Sequence, residues 1–259
     1  MAVRPTRHNA RVDVVDYAWF GAGLLVISTV TVALGAWVGT GLRWFPFWAL
    51  LRATVQLAVI ALLLRGILAV PWTVAAFVLL MLSTASFTAV GRLRELWHGR
   101  QAAVAGVLAG ATAGLLAIFG LGLVDLEVRY VVAVGGIIIG NAMSAATLSG
   151  RNFLRAVKVR GAEIEGWLSL GATPARAHQE IGREAVREAL VPSLDQTRST
   201  GLVTLPGAFV GALFGGASPA TAAMFQLVVL AGIGLTMTVT AIVVTQVAGR
   251  TPYVEGARA

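Results

Sequence analysis

Residues 220–247 read ATAAMFQLVVLAGIGLTMTVTAIVVTQV, a run without a single charged side chain. A helix rises about 1.5 Å per residue, so about 20 apolar residues cross the roughly 30 Å hydrocarbon core of a bilayer. The stretch predicts a transmembrane helix. Six more stretches read the same way, at about 17–38, 44–64, 67–90, 102–123, 130–148 and 199–215. Two of these carry a complication: Arg52 lies inside the second and Pro206 inside the sixth.

Composition agrees with the spans. The chain has 259 residues, 57% hydrophobic and 12% charged, with a mean hydropathy of +0.81. A soluble domain carries about 25% charged residues, so the apolar excess here faces lipid. The expectation is an all-α integral membrane protein, a single transmembrane domain over 1–259. It has about seven transmembrane helices and a polar cytoplasmic segment at about 150–198 between spans five and six. The absence of cysteine excludes disulfides and thiolate chemistry. The net charge of +8 reads as the arginine enrichment of cytoplasmic loops rather than a nucleic-acid surface.

Arginine placement sets the orientation. Arg43, the group Arg92, Arg94 and Arg100, the run from Arg151 to Arg198, and Arg250 and Arg258 fall on one side and hold most of the positive charge. Arg4, Arg7, Arg11, Arg65 and Arg129 fall on the other. The bias places the N-terminus outside and the C-terminus in the cytoplasm of a multi-pass protein of the cell's inner membrane. The first apolar run is longer than the ~7–15 residues of a signal-peptide core and lacks a small-x-small site after it, so it is read as a retained span.

The polar segment has helical patterning. A first helix is expected from about Asn152 to Leu170, with Phe153, Leu154, Val157, Ile164, Trp167 and Leu168 as its apolar members. Gly171 suits the left-handed position that ends a helix. Thr173 suits an N-cap and Pro174 the first position of the next helix. That second helix carries Ala177, Ile181 and Ala185 as its stripe and the pairs Glu180–Arg183 and Glu184–Arg187, and it is expected to end at Pro192. Two readings of this amphipathic hairpin stand: a docking platform for a partner, or a pair of helices lying on lipid headgroups. The spacing of Glu165, Gly171 and Ile181 is similar to the coupling motif of ABC importer permeases, where a turn fits a cleft in the ATPase. Gly166 and Trp167 replace that motif's alanines.

Several stretches together resemble one family, the FetB-type iron-export ABC permeases, related to plant aluminium-resistance permeases. They are Arg52-Ala53-Thr54-Val55-Gln56-Leu57, Gly140-Asn141-Ala142-Met143, Glu163-Ile164-Glu165, and Leu170 to Pro174. The longest runs from Gly201-Leu202-Val203 through Leu205-Pro206-Gly207 to Gly216-Ala217-Ser218-Pro219 and Gln226. The likeness covers about residues 50–245. One departure touches substrate choice: Ala208-Phe209-Val210-Gly211 stands where the family has methionines and a threonine.

The resemblance implies a homodimer of permeases working with two copies of a separate ATPase subunit, in the direction of export. Its coupling residues would be Glu163, Glu165, Gly171, Ala172, Thr173, Pro174 and Ile181. ATP and magnesium would sit on the partner. The residues agree on one point: there is no Gly-Lys dipeptide, hence no Walker A phosphate loop. No triad or paired-carboxylate arrangement suggests a catalytic centre in this chain. A secondary transporter or channel without an ATPase is the alternative; intramembrane acids and an inverted repeat would mark it, and neither is evident.

Three spans repeat small residues every fourth position: Gly106, Gly110 and Gly114; Gly136, Gly140 and Ser144; Gly207, Gly211 and Gly215. All three read as close helix packing, one of them a candidate dimer seam. Pro206 and Gly207 are expected to bend the sixth helix, as a static kink or a hinge. Arg52 is costly in a span and needs polar partners. Gln56 one turn away, Asn141, Ser144 and Gln226 are the candidates. It either snorkels and bonds across helices, or lines a transport path with Gln56, Asn141 and Gln226.

All three histidines and all acids fall outside the spans, and bare hard cations want carboxylates or imidazoles. No metal site is therefore expected, and the cargo is hypothesised to be a chelate, an anion or an amphiphile. His98 and His178 read as surface groups, and Asp125 and Glu127 as a solvated outer loop.

Overall fold

A computed structural model describes residues 14–41, 43–69 and 71–251. Arg4, Arg7, Arg11 and Arg258 of the charge bias lie outside those residues. The chain divides into two compact units, 1–69 and 70–259.

The first unit holds α1 (Val14–Val38) and α2 (Phe45–Ala69), which pack on each other. The second holds α3 (Pro71–Arg92), α4 (Gly99–Gly120), α5 (Val128–Val159), α6 (Gly161–Ser169), α7 (Pro174–Ala177), α8 (Gln179–Ser199), α9 (Gly207–Phe214) and α10 (Pro219–Ala248). Six of these helices among the described residues are long and apolar enough to cross a membrane: α1 to α5 and α10. The protein is a multi-pass, helical membrane protein.

The core of the second unit lies between α3, α4, α5 and α10. Val107, Ile118, Val134, Ile138, Val229 and Val244 meet there among alanines. α4 and α10 approach closest along the first glycine stripe. A Cβ on Gly110 would collide with the Thr240 hydroxyl, one on Gly114 with the Thr236 hydroxyl, and one on Gly106 would press on Val244. Here the stripe packs helices, as its spacing predicts.

Two expectations about the polar segment are corrected. The fifth span does not stop near 148; α5 continues unbroken to Val159, because Phe153 and Val157 prolong its buried face. The first hairpin helix is therefore only α6, after a break at Arg160. α8 also passes through Pro192 to Ser199. An interior proline costs about 3 kcal/mol, but α8 packs on both α5 and α10, and that burial of Ile181, Ala185 and Ala189 outweighs it.

The sixth expected span, 199–215, fails as a continuous helix. Residues 200–206 are not helical, and α9 has 8 residues, about 12 Å, too short to cross. Gly201 (φ 91°) turns the chain, and Pro206 stands before α9 as its N-cap in extended conformation. It kinks nothing, because no helix runs through it. The positions along α10 show what replaces the span. Gly182 of α8 lies against Thr245, the end of α8 shares a cavity with Leu230 and Gln226, and α9 shares another with Thr221. From Thr245 to Thr221 is about 36 Å of helix. The chain thus travels the length of α10 as two helices with an unwound break between them.

Candidate functional site: a broken helix beside a polar cavity

Non-helical backbone at membrane depth persists only where protein or a water-filled cavity satisfies it. In the break, the Val203 N–H donates to the Ser199 carbonyl at 3.0 Å and the Gly201 N–H to the Thr204 carbonyl at 2.8 Å. Gln226 Oε1, reaching from α10, accepts from the Phe209 N–H at 3.1 Å. This caps α9 from a neighbouring helix, since Pro206 at the N-cap offers no side-chain acceptor.

A cavity of about 400 Å³ lies at this point. Asn141 of α5, Gln226 of α10, and Pro206 and Gly207 at the break all line it. Four of the residues singled out in the sequence thus come together. Asn141 Nδ2 donates to the Ile137 carbonyl of its own helix at 2.8 Å. Ser144 likewise bonds back to Gly140. Arg52 and Gln56 belong to the first unit, where both are exposed on α2.

Sequence reading missed Ser193, Gln196, Thr197 and Thr200, which line the same cavity. The signal was present: Ser193, Gln196 and Thr197 fall at helical spacing on the last turns of α8, and Thr200 is its C-cap. The assumption that Pro192 ends the helix hid it.

A second cavity, about 770 Å³ and mainly apolar, adjoins the first. The third glycine stripe lines it instead of packing. A Cβ on Gly207 or Gly211 would meet nothing within 4 Å, and Gly215 lies close only to carbonyls of its own helix. This corrects the packing expectation for that stripe. In the middle stripe a Cβ on Gly136 would make ordinary contact with the Met81 sulfur at 3.8 Å, while one on Gly140 would meet nothing within 4 Å. At the rim of the second cavity Glu127 pairs with Arg129 at 2.7 Å, and Arg129 lies 4.9 Å over the Tyr130 ring.

At the opposite end, the α6–α8 hairpin sits on the ends of α5 and α10. Leu96, Phe153, Val157, Ile164, Ala177, Ile181, Ala185 and Ala248 form its seat. Gly171 ends α6 at φ 84°, as expected. Thr173 is the N-cap and Pro174 the first residue of α7, although the Thr173 side chain makes no capping bond. Arg160 grips Glu163 at 2.7 Å and Glu184 at 3.0 Å, so Glu184 turns to Arg160 rather than to Arg187. The Arg160 hydrogen bond holds the Glu163 carboxyl below its ordinary value, against a smaller opposing effect of desolvation. The Glu180–Arg183 pair forms at 3.4 Å.

The coupling candidates separate by exposure. Glu165, Gly171 and Thr173 are exposed and Ala172 and Pro174 half-buried, while Ile181 is buried in the seat and so holds the turn in place from behind. Leu170, at the tip, is 82% exposed. His178 is not a surface group: it is 1% exposed, with Nδ1 2.8 Å from the Pro174 carbonyl and its ring 5.8 Å from that of Phe153. Among the described residues no cluster of three His, Cys, Asp or Glu is placed to hold a metal.

The model of the uncharacterised protein family UPF0014 matches residues 19–253. The UPF0014 membrane protein STAR2 of Oryza sativa is 32% identical over 207 residues, 79% of this chain and 72% of its own. The protein ALUMINUM SENSITIVE 3 of Arabidopsis thaliana is 30% identical, covering 83% of each. The "Probable iron export permease protein FetB" of Escherichia coli is 30% identical over 70% of this chain and 71% of its own. No solved structure matches. A family match across nearly the whole chain and relatives of this identity agree with the stretches around the break and the hairpin: the chain belongs to the UPF0014 family of membrane proteins.

Proposed function

We propose that this chain is the membrane-spanning permease subunit of an ABC transporter, an exporter linked to iron or metal homeostasis. It is a transport subunit and not an enzyme: a separate ATPase chain binds ATP and magnesium and supplies the energy. The functional unit is a homodimer of this single permease domain with two ATPase subunits, in the inner membrane, with the N-terminus outside and the C-terminus and hairpin in the cytoplasm.

The observation that carries the reading is the tip of the hairpin. Leu170 is an apolar side chain left in the open beside a glycine fixed at positive φ, on a turn seated firmly on α5 and α10. A rigid seat behind an exposed apolar turn is what a docking contact needs, because force on the turn reaches the two helices that line the cavity. Hinge behaviour is assigned to Pro206 and Gly207 at the break, and Arg52, Gln56, Asn141 and Gln226 to the transport path.

The test is co-purification of the tagged protein from its host in mild detergent, with mass spectrometry and an ATPase assay. An ATPase subunit should accompany the wild type and be lost in Gly171→Asp. Gly171→Asn serves as the fold control, since asparagine tolerates the left-handed region. One observation favours a second reading: broken helices flanking a mid-membrane site also build secondary carriers. Transport that continues without ATP and follows a proton or sodium gradient would decide for it.

A further inference from the structure

The first turn of α9 faces the smaller cavity with donors to spare. The N–H groups of a first helical turn have no carbonyl one turn back to receive them. Gln226 receives that of Phe209; those of Gly207 and Ala208 remain, and both residues line the cavity. Gln226 is only 5% exposed, and a primary amide carries two N–H donors. Its Nε2 has no partner among the described residues. Aligned peptide dipoles add roughly half a positive charge at this helix end. No acidic side chain lines this smaller cavity to compete; Asp125 lines the larger one, together with Arg129. Such a donor set selects an oxyanion.

The adjoining apolar cavity supplies the rest of a ligand site. Ile137, Gly207 and Ala208 belong to both cavities, and the missing side chains of Gly207 and Gly211 leave the path between them open. We propose that the two cavities form one site for an organic carboxylate with an apolar body. The carboxylate takes hydrogen bonds from the first turn of α9 and from Gln226 Nε2. The apolar body lies along Gly207 and Gly211 in the larger cavity. That this ligand is cargo rests on the transport reading above; its binding is a property of this chain alone.

The test uses the full chain in nanodiscs of zwitterionic lipid, photolabelled with a diazirine-bearing decanoate and mapped by mass spectrometry. Label is expected within residues 207–228. Decanoate should compete at least about tenfold better than decanol or decyltrimethylammonium, the neutral and cationic molecules of equal chain length. Gln226→Glu keeps the acceptor for Phe209 but replaces the amide donor with a negative charge, and should cut labelling about tenfold. Gly211→Phe fills the apolar cavity and should cut it similarly. Equal competition by decyltrimethylammonium, or stronger labelling of Gln226→Glu, would overturn the oxyanion assignment. Equal competition by decanol would reduce the site to an apolar groove.

The competitor series needs no variant to fold. Benzoate in the same series separates sources: competition by benzoate points to water-soluble carboxylates, competition by decanoate alone to acids from the bilayer, and either bears out the site. Absence of label sinks this proposal and leaves the ATPase reading standing, while failed co-purification leaves the labelling unchanged.

Discussion

The chain carries two glycine stripes of identical spacing with opposite fates. Gly106, Gly110 and Gly114 on α4 are filled to contact by Thr236, Thr240 and Val244 of α10, whereas Gly207 and Gly211 on α9 face open space. In the first, glycine lets two backbones meet. In the second, it keeps a side chain out of a cavity. Spacing every fourth residue specifies a smooth helix face; what the face meets depends on the length and position of the helix that bears it. α4 has 22 residues and a full-length neighbour, while α9 has 8 and begins at a break.

The comparison can be broken most forcefully at the filled stripe. Gly110→Ala drives a methyl into the Thr240 hydroxyl and close to the Thr236 backbone carbonyl. Overpacking of this kind costs about 3 kcal/mol or more where backbone must move, and a clear fall in the thermal midpoint in detergent is expected. A wild-type midpoint would mean the seam is slack. The same seam can be sharpened from its other side. Thr236 and Thr240 bury hydroxyls without a hydrogen-bond partner, so Thr236→Val removes an unsatisfied group while keeping shape. The expected gain is about 1 kcal/mol, read as a raised midpoint. Gly211→Ala is the matching change on the open stripe: it meets nothing and should alter stability by no more than about 0.5 kcal/mol in either direction.

The smallest effect concerns pH. Glu163 has its folded value lowered by Arg160 from the ordinary 4.5. Its contribution is therefore complete above about 4.5 and disappears as pH falls through the lower folded value. The protection factors of α6 amides, which allow for the intrinsic slowing of exchange in acid, should fall below about 4.5, while those of the glycine seam, which holds no acid, should not. Equal loosening of both would show that the Arg160 clasp does not matter locally.

Five of the seven expected spans lie within a few residues of their observed helices at both ends, because continuous apolar composition leaves lipid as the only solvent for them. The fifth, α5, was visible only up to about 148, since its last turns exchange lipid for the protein's own hairpin. The sixth defeated hydropathy for the converse reason. Its apolar residues Leu202, Val203 and Leu205 sit in a turn, and the helix that precedes them is the polar α8. A broken crossing splits its signal between a segment too polar to count and one too short. Gly171 was legible because glycine is the residue that most readily takes the left-handed position at a helix end. Asn141 and Gln226 stood out as polar groups in apolar runs, but their meeting place depended on how α8 threads between α5 and α10, which no local pattern encodes.

α5 has a mechanical consequence. Its 32 residues make a rod about 48 Å long, carrying Tyr130 near one end, Asn141 between, and Phe153 and Val157 at the hairpin seat. A rod of that length turns a tilt of about 5° into a displacement of roughly 4 Å at its far end. If a partner pushed on the seat and α5 tilted as a rigid rod, the opposite rim would move farther than a hydrogen bond can tolerate, with no change of conformation at any residue along the way.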